Sequence, residues 1–211
     1  KFINIKLIKN KSSKNWLRKQ KKDKYFKLSK IEGYRARSAF KLLEMNKKFS
    51  FLKENQSIID LGSSPGGWSQ VVSKKAKNVK LFSIDIKPMK KINDVHFING
   101  DFTDEMTFDK IKKYFNETID VVLSDIAVNT TGNKSLDSFK TGELCISAMD
   151  LSLKILSPQG IFLSKLFMGS IFEEIKKKAN TNFKKVVIYK PLSSKKESKE
   201  IYIFCKGILR T

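Results

Sequence analysis

Histidine and cysteine are nearly absent from this chain of 211 residues, and their scarcity removes whole classes of chemistry. A single histidine, His96, argues against a histidine-based metal centre or a Ser-His-Asp triad. The two cysteines, Cys145 and Cys205, stand far apart, match no zinc or disulfide spacing, and point to a reducing compartment. No apolar run approaches the ~20 residues of a membrane span, so no membrane partner is expected. Acid is scarce as well: 21 Asp and Glu face 43 Lys and Arg, a net charge of +22.

The positive charge is unevenly placed. Residues 1–48 hold 17 basic and 3 acidic side chains. Lysines scattered by codon bias would merely be solvated, but a bias of that kind would not collect at one end. A concentrated basic region is the footprint of a polyanion, and without a strong amphipathic helix the expected partner is nucleic acid rather than a membrane surface. The chain opens KFINIKLIKNKSSK; residues 1–13, rich in Lys and poor in Arg, are poor evidence for a transit peptide, and a leader upstream of them stays open. Hydrophobic content of 40% fits one core of ordinary size. Two regions are expected: a basic N-terminal segment over 1–30 and a single domain over 31–211.

What the chain does have is alternation. EGYRARSAFKLLEMNKKF reads as a helix, with Ala36, Phe40 and Leu43 on one face and Arg37, Lys41, Glu44 and Lys48 on another. Strands are expected at QSIIDL, VKLFSIDI, VHFINGDF, IDVVLSDIA, IFLSKLF, KKVVIYK and EIYIFCKGIL. Helices fall at WSQVVSKKA, TFDKIKKYF, ELCISAMDLSLKIL and IFEEIKKKANTNF, with residues 127–140 as a loop and SPQG as a helix stop. Apolar strands separated by helices indicate a parallel sheet covered on both faces. The last two strands share only the short loop PLSSKKESK and should pair antiparallel.

Ligands of such sheets sit beyond the carboxyl ends of the strands. There the sequence places Asp60, Asp85, Asp101 and Asp125, each closing an apolar run, and the loop LGSSPGGW. Packing is indifferent to four acids in that position. Glycines at 62, 66 and 67 admit a close ligand, but their spacing fits neither a dinucleotide fingerprint nor a Walker loop. Carboxylates are poor hosts for pyrophosphate and good hosts for hydroxyls, amino groups and a cation, the groups that S-adenosyl-L-methionine carries.

DLGSSPGGWSQ, with GYRARSAFKLLE upstream and SDIAVNTTG, SKLF and SKEIYIF downstream, resembles the RrmJ/FtsJ family of RNA ribose 2′-O-methyltransferases. The resemblance runs from about Ser13 to the C-terminus. It departs at Ser63 and Ser64, commonly alanines, and at Val128, commonly proline. It implies an α/β, Rossmann-like methyltransferase fold: a mostly parallel seven-stranded sheet, helices on both faces, the last strand antiparallel. It implies S-adenosylmethionine as donor and S-adenosylhomocysteine as product. Gly66, Gly67 and Trp68 would line the cofactor's methionine end, Asp85 would hold its ribose and Asp101 its adenine, with Gly62, Ser64, Pro65 and Asp125 also binding the cofactor. Asp60 would shape the loop.

The family's Lys-Asp-Lys-Glu tetrad falls on Lys41, Asp125, Lys165 and Glu200. Two of these stand out unaided: Lys165 sits inside the apolar strand IFLSKLF, where lysine seldom lies without a partner, and Glu200 begins EIYIF. Lys41 alone reads as a solvated helix position. An in-line sulfonium needs mainly orientation, and the remaining task is the hydroxyl proton, which Lys165 would orient or accept. Only RNA carries that hydroxyl. Arg35, Arg37, Lys14, Arg18 and Lys19 would bind phosphate, and Trp16, Tyr25, Phe26 and Tyr34 could stack on bases or pack on helices. The loop LGSSPGGWSQ and the ending SSKKESKEIYIF resemble those of the family's enzymes acting on the large-subunit rRNA A-loop uridine, which implies RNA within a subunit or its precursor as substrate; a monomer in a reducing compartment, the cytoplasm, a mitochondrion or a plastid, is expected. A tRNA anticodon-loop enzyme of the same family, a non-catalytic assembly factor and a protein or small-molecule methyltransferase stay open as alternatives.

Overall fold

The structure, a computed structural model, describes residues 23–128 and 131–209. Its seven strands are β1 (Ser57–Leu61), β2 (Lys80–Asp85), β3 (Val95–Asn99), β4 (Ile119–Ser124), β5 (Leu156–Phe167), β6 (Phe183–Tyr189) and β7 (Glu200–Ile208). They form one sheet in the order β3-β2-β1-β4-β5-β7-β6. Strands β3, β2, β1, β4 and β5 pair in parallel, and β7 runs antiparallel to both neighbours. The chain leaves β1 toward β2 and returns to β1's other side with β4. The order therefore reverses between β1 and β4, which is where such sheets open a crevice.

Among the described residues six helices flank the sheet: α1 (Lys24–Ile31), α2 (Ala39–Phe49), α3 (Gly67–Lys75), α4 (Glu105–Phe115), α5 (Lys134–Ile155) and α6 (Phe172–Asn182). Among the described residues no helix is long and apolar enough to cross a membrane. The period of two in the strands splits the core. Ile59, Leu61, Phe82 and Val122 face Ile111, Met149 and Ile175 of α4, α5 and α6. Ile58, Leu81, Val121, Leu123 and Leu163 face Leu42, Met45, Trp68 and Val72 of α2 and α3. By the same parity Asp60, Asp125 and Lys165 belong to the α2–α3 face, and Tyr202, paired with Lys165, joins them.

Three local expectations are corrected. The stretch 32–49 is not one helix: α1 ends at Ile31, Gly33 adopts φ +70°, and α2 starts only at Ala39. The intervening bend is held by Tyr34 N–H to Ser29 O (2.7 Å) and Arg35 N–H to Gln70 Oε1 (2.7 Å). The buried positions of α2 are Ala39, Leu42 and Met45, and Lys41 points inward with them. Second, helix α5 begins at Lys134, inside the expected loop, because the Asn133 side chain caps it by accepting from Ser135 N and Leu136 N. Third, SPQG lies within β5, where the register against β4 slips between Ile119 and Val121. Residues 23–30 of the expected basic segment enter the folded body: Asp23 caps α1, and Tyr25 packs on Phe40 of α2.

Candidate active site

A cavity of about 440 Å³ opens at the carboxyl ends of β1, β2 and β4. That is the size of small-molecule sites. Gly62, Ser64, Asp85, Asp101 and Asp125 line it, with Ile86, Phe102 and Ile126 among its apolar walls. Gly62 is obligatory: its φ is +72°, and a Cβ there would stand 2.4 Å from Ile126 Cγ1. Asp85 accepts from Ser64 N at 2.8 Å and from Lys87 N at 2.7 Å, which ties the glycine loop to the end of β2. Asp101 Oδ1 accepts from Thr103 N and Oγ1 at 2.9 and 2.8 Å. Carboxylates with apolar walls suit a ligand that donates hydrogen bonds and carries positive charge.

Several residues expected at this pocket stand elsewhere. Pro65, Gly66, Gly67 and Trp68 are not among its lining residues. They turn toward the bend at 34–38: Pro65 O accepts from Arg35 Nη1 (3.2 Å), Gly67 faces Ala36 and Ser38, and Trp68 Nε1 donates to Ser38 O (2.9 Å). A Cβ at Gly66 would meet Ile92 Cδ1 at 2.8 Å and Arg35 Nη1 at 3.0 Å. This half of the loop is therefore gripped by protein. Asp60 lies beneath the pocket, fully buried, with Oδ2 accepting from Ser69 Oγ at 2.6 Å and Oδ1 without a partner. Burial, with Asp125 and Asp85 adding negative charge nearby, pushes its carboxyl up to about 7, against the Ser69 bonds. Ser63 Oγ is likewise buried and unpartnered. Two orphaned polar atoms under the loop and three carboxylates around the cavity fit a cationic donor of the expected kind.

The four tetrad positions converge. Lys165 Nζ donates to Asp125 O at 2.5 Å and lies 3.1 Å from Asp125 Oδ1, so the buried amine is one contact from a cavity-lining carboxylate. Lys41 Nζ is 2.7 Å from the Glu200 carboxylate. Lys41, Lys165 and Glu200 are 9%, 7% and 8% exposed, a depth that such groups tolerate only when paired. Tyr202 joins the two pairs. Its hydroxyl donates to Asp125 Oδ1 at 2.8 Å, and Lys41 Nζ lies 5.8 Å from its ring centroid. Burial works to raise Asp125, but the ammonium groups of Lys165 and Lys41 and the bonds from Tyr202 and Lys165 outweigh it and hold the carboxyl below its usual value. Burial first, then the Asp125 and Glu200 charges, raise Tyr202 well above an ordinary phenol, so it stays a donor.

Tyr202 was not singled out in the sequence, although the spacing from Glu200 in EIYIF puts both on one face. Ser194, which donates to Glu200 Oε1 at 2.8 Å, gave no signal at all. The arginines expected to meet phosphate are occupied by the protein. Arg35 reaches Pro65 O, Lys90 O and Lys91 O, while Arg37 pairs with Asp23 and Ser193 O. Tyr34 is buried beside Phe40. Lys14, Trp16, Arg18 and Lys19 lie outside the described residues.

A profile of the FtsJ-like methyltransferases matches residues 34–208. A relative from Pelagibacter ubique, named ribosomal RNA large subunit methyltransferase E, is 52% identical over 202 residues, covering 96% of this chain and 99% of its own. One of the same name from Rickettsia akari is 43% identical over 211 residues, covering 96% of this chain and 93% of its own. The crystal structure of a Plasmodium falciparum protein described as a ribosomal RNA methyltransferase superposes with a TM-score of 0.75 at 34% identity, over 84% of this chain and all of that one. A methyltransferase structure from Streptococcus mutans, at 17% identity and TM-score 0.53 over 78% of this chain and 96% of its own, shares the fold.

Proposed function

The chain belongs to the FtsJ-like methyltransferase family, and on that premise we propose that it is an S-adenosylmethionine-dependent RNA ribose 2′-O-methyltransferase whose substrate is a large-subunit rRNA uridine. The observation that carries this reading is the Lys165 ammonium held 3.1 Å from Asp125 Oδ1, at the wall of an acid-lined cavity. Relatives named for the large ribosomal subunit, 52% and 43% identical along nearly the whole chain, support the rRNA substrate over the tRNA alternative. We extend the proposal to a monomer working in a reducing compartment on RNA within a large subunit or its precursor.

S-adenosylmethionine, when bound, supplies a methyl group on a positively charged sulfur and leaves as S-adenosylhomocysteine. The protein's work is then placement. Asp85 and Asp101 would accept from the hydroxyl and amino groups of the donor's nucleoside part, and Asp125 would offset its positive charge. Lys165 orients the ribose 2′-hydroxyl; to take the hydroxyl proton as the methyl group transfers, its ammonium first releases one proton to solvent, and the neutral amine then accepts the hydroxyl's. Asp125, ionised and bonded by Tyr202, fixes the Lys165 amine, and Glu200 does the same for Lys41. Two cations and two anions make the set neutral, so placing it in the interior leaves no uncompensated charge.

The test is methylation with labelled donor on total rRNA, tRNA and assembled large subunits, followed by ribose-methylation mapping. The expected result is label on one large-subunit uridine, lost in Lys165→Ala. Label on tRNA, or none with any RNA, overturns the reading.

A further inference from the structure

We propose that Glu44 is a positioning residue for the reaction: it fixes the loop at Leu192–Ser194, and through Ser194 it sets the orientation of the Glu200 carboxylate that holds Lys41. This rests on the tetrad reading above. Helix α2 reaches Glu200 by two routes. The direct one is Lys41 Nζ at 2.7 Å. The indirect one begins three residues later on the same side of the helix. Glu44 Oε1 accepts from Tyr189 Oη (2.8 Å) and Leu192 N (2.7 Å), and Oε2 accepts from Ser193 N (3.0 Å) and Ser193 Oγ (2.9 Å).

Four donors on one carboxylate is close to all that its lone pairs accept. Burial works against its charge, yet these bonds hold Glu44 below the ordinary carboxylate value. The residue they immobilise is followed by Ser194, whose hydroxyl donates to Glu200 Oε1 at 2.8 Å. Arg37, anchored to Asp23, holds Ser193 O from the other side. Ser193 and Ser194 are 1% and 6% exposed inside a loop whose next residues, 195–197, are open to solvent. Such burial within the connection between β6 and β7 is what a clamp produces and a plain connection does not need. No charge is asked of Glu44 in the chemistry; its effect is geometric.

The experiment combines Glu44→Gln, Ser194→Ala and the double variant, read by single-turnover methylation, donor affinity by titration calorimetry and RNA affinity by filter binding. Glutamine keeps the shape but turns an amide donor toward donors, and the loop loosens. A displacement of about 1 Å costs on the order of 100-fold in rate. The expected result is a turnover rate about 10- to 100-fold lower for each single variant, with both affinities within about twofold of the parent. The double variant is expected to be no slower than the slower single, because both act on one contact. Glu44→Asp, a methylene too short to span the loop, should not rescue. Ser194→Ala removes one oxygen and leaves the clamp intact, so it tests the route even if Glu44→Gln folds poorly. Parental turnover in Ser194→Ala, or losses that multiply in the double variant, overturns the inference. If the parent itself methylates no RNA, the functional reading fails instead.

Discussion

Asp60 offers a sharp test of the electrostatics under the pocket. Fully buried, it has an ordinary value of 3.8 raised to about 7 in the folded protein. Between those values the native chain holds a proton that the unfolded chain has released. The unfolded state then binds fewer protons, so stability falls as pH rises through the window and levels off above about pH 7. The full span corresponds to about 4 kcal/mol, and about 2.5 kcal/mol of it is lost between pH 5 and pH 8. In Asp60→Asn the side chain is neutral throughout and of equal size. Its amide nitrogen takes the place of an unpartnered oxygen, a fixed cost of about 1–3 kcal/mol that does not vary with pH. The two stability curves should therefore converge or cross, their difference changing by about 2.5 kcal/mol in favour of the variant between pH 5 and pH 8. Urea unfolding of the free protein measures this; with a slope of about 2–3 kcal/mol per molar, the relative midpoint moves by about 1 M. Parallel curves would show that Asp60 is ionised in the native state and refute the account of its burial.

Lys165→Ala should lower methyl transfer by about 100- to 10,000-fold while donor affinity, measured calorimetrically, changes little; comparable loss of donor binding would make Lys165 structural. Asp85→Ala removes acceptors from both the cavity and Ser64 N, and donor affinity should fall by about 10- to 100-fold. Gly62→Ala forces a left-handed backbone onto alanine and drives its Cβ to within 2.4 Å of Ile126 Cγ1. Together these cost about 2–4 kcal/mol, read as a lower urea midpoint with weakened donor binding. RNA affinity should fall steeply with salt, with log-log slopes tracking the number of phosphates contacted; a flat response would remove the electrostatic role of the basic N-terminal region.

The local pattern of the sequence is enough for the seven strands, the antiparallel ending and the acids at the strand tips, because alternation, apolar runs and chain order are properties of neighbours along the chain. The odd lysine in IFLSKLF marked a buried amine for the same reason: local context makes it improbable. Contacts across the sheet decided the rest. Lys41 turned inward because α2 lies over the Tyr202–Glu200 end of β7, which no helical period records. Asp60 and Asp125 carry the same side chain, one proton-binding near pH 7 and the other held ionised, because only Asp125 lies beside two ammonium groups. Pro65 to Trp68 face the bend at 34–38 rather than the pocket, and Glu44 meets Ser193 from 149 positions away. Charge state and side-chain direction depend on groups brought together from distant parts of the chain, so they were settled only when the chain closed.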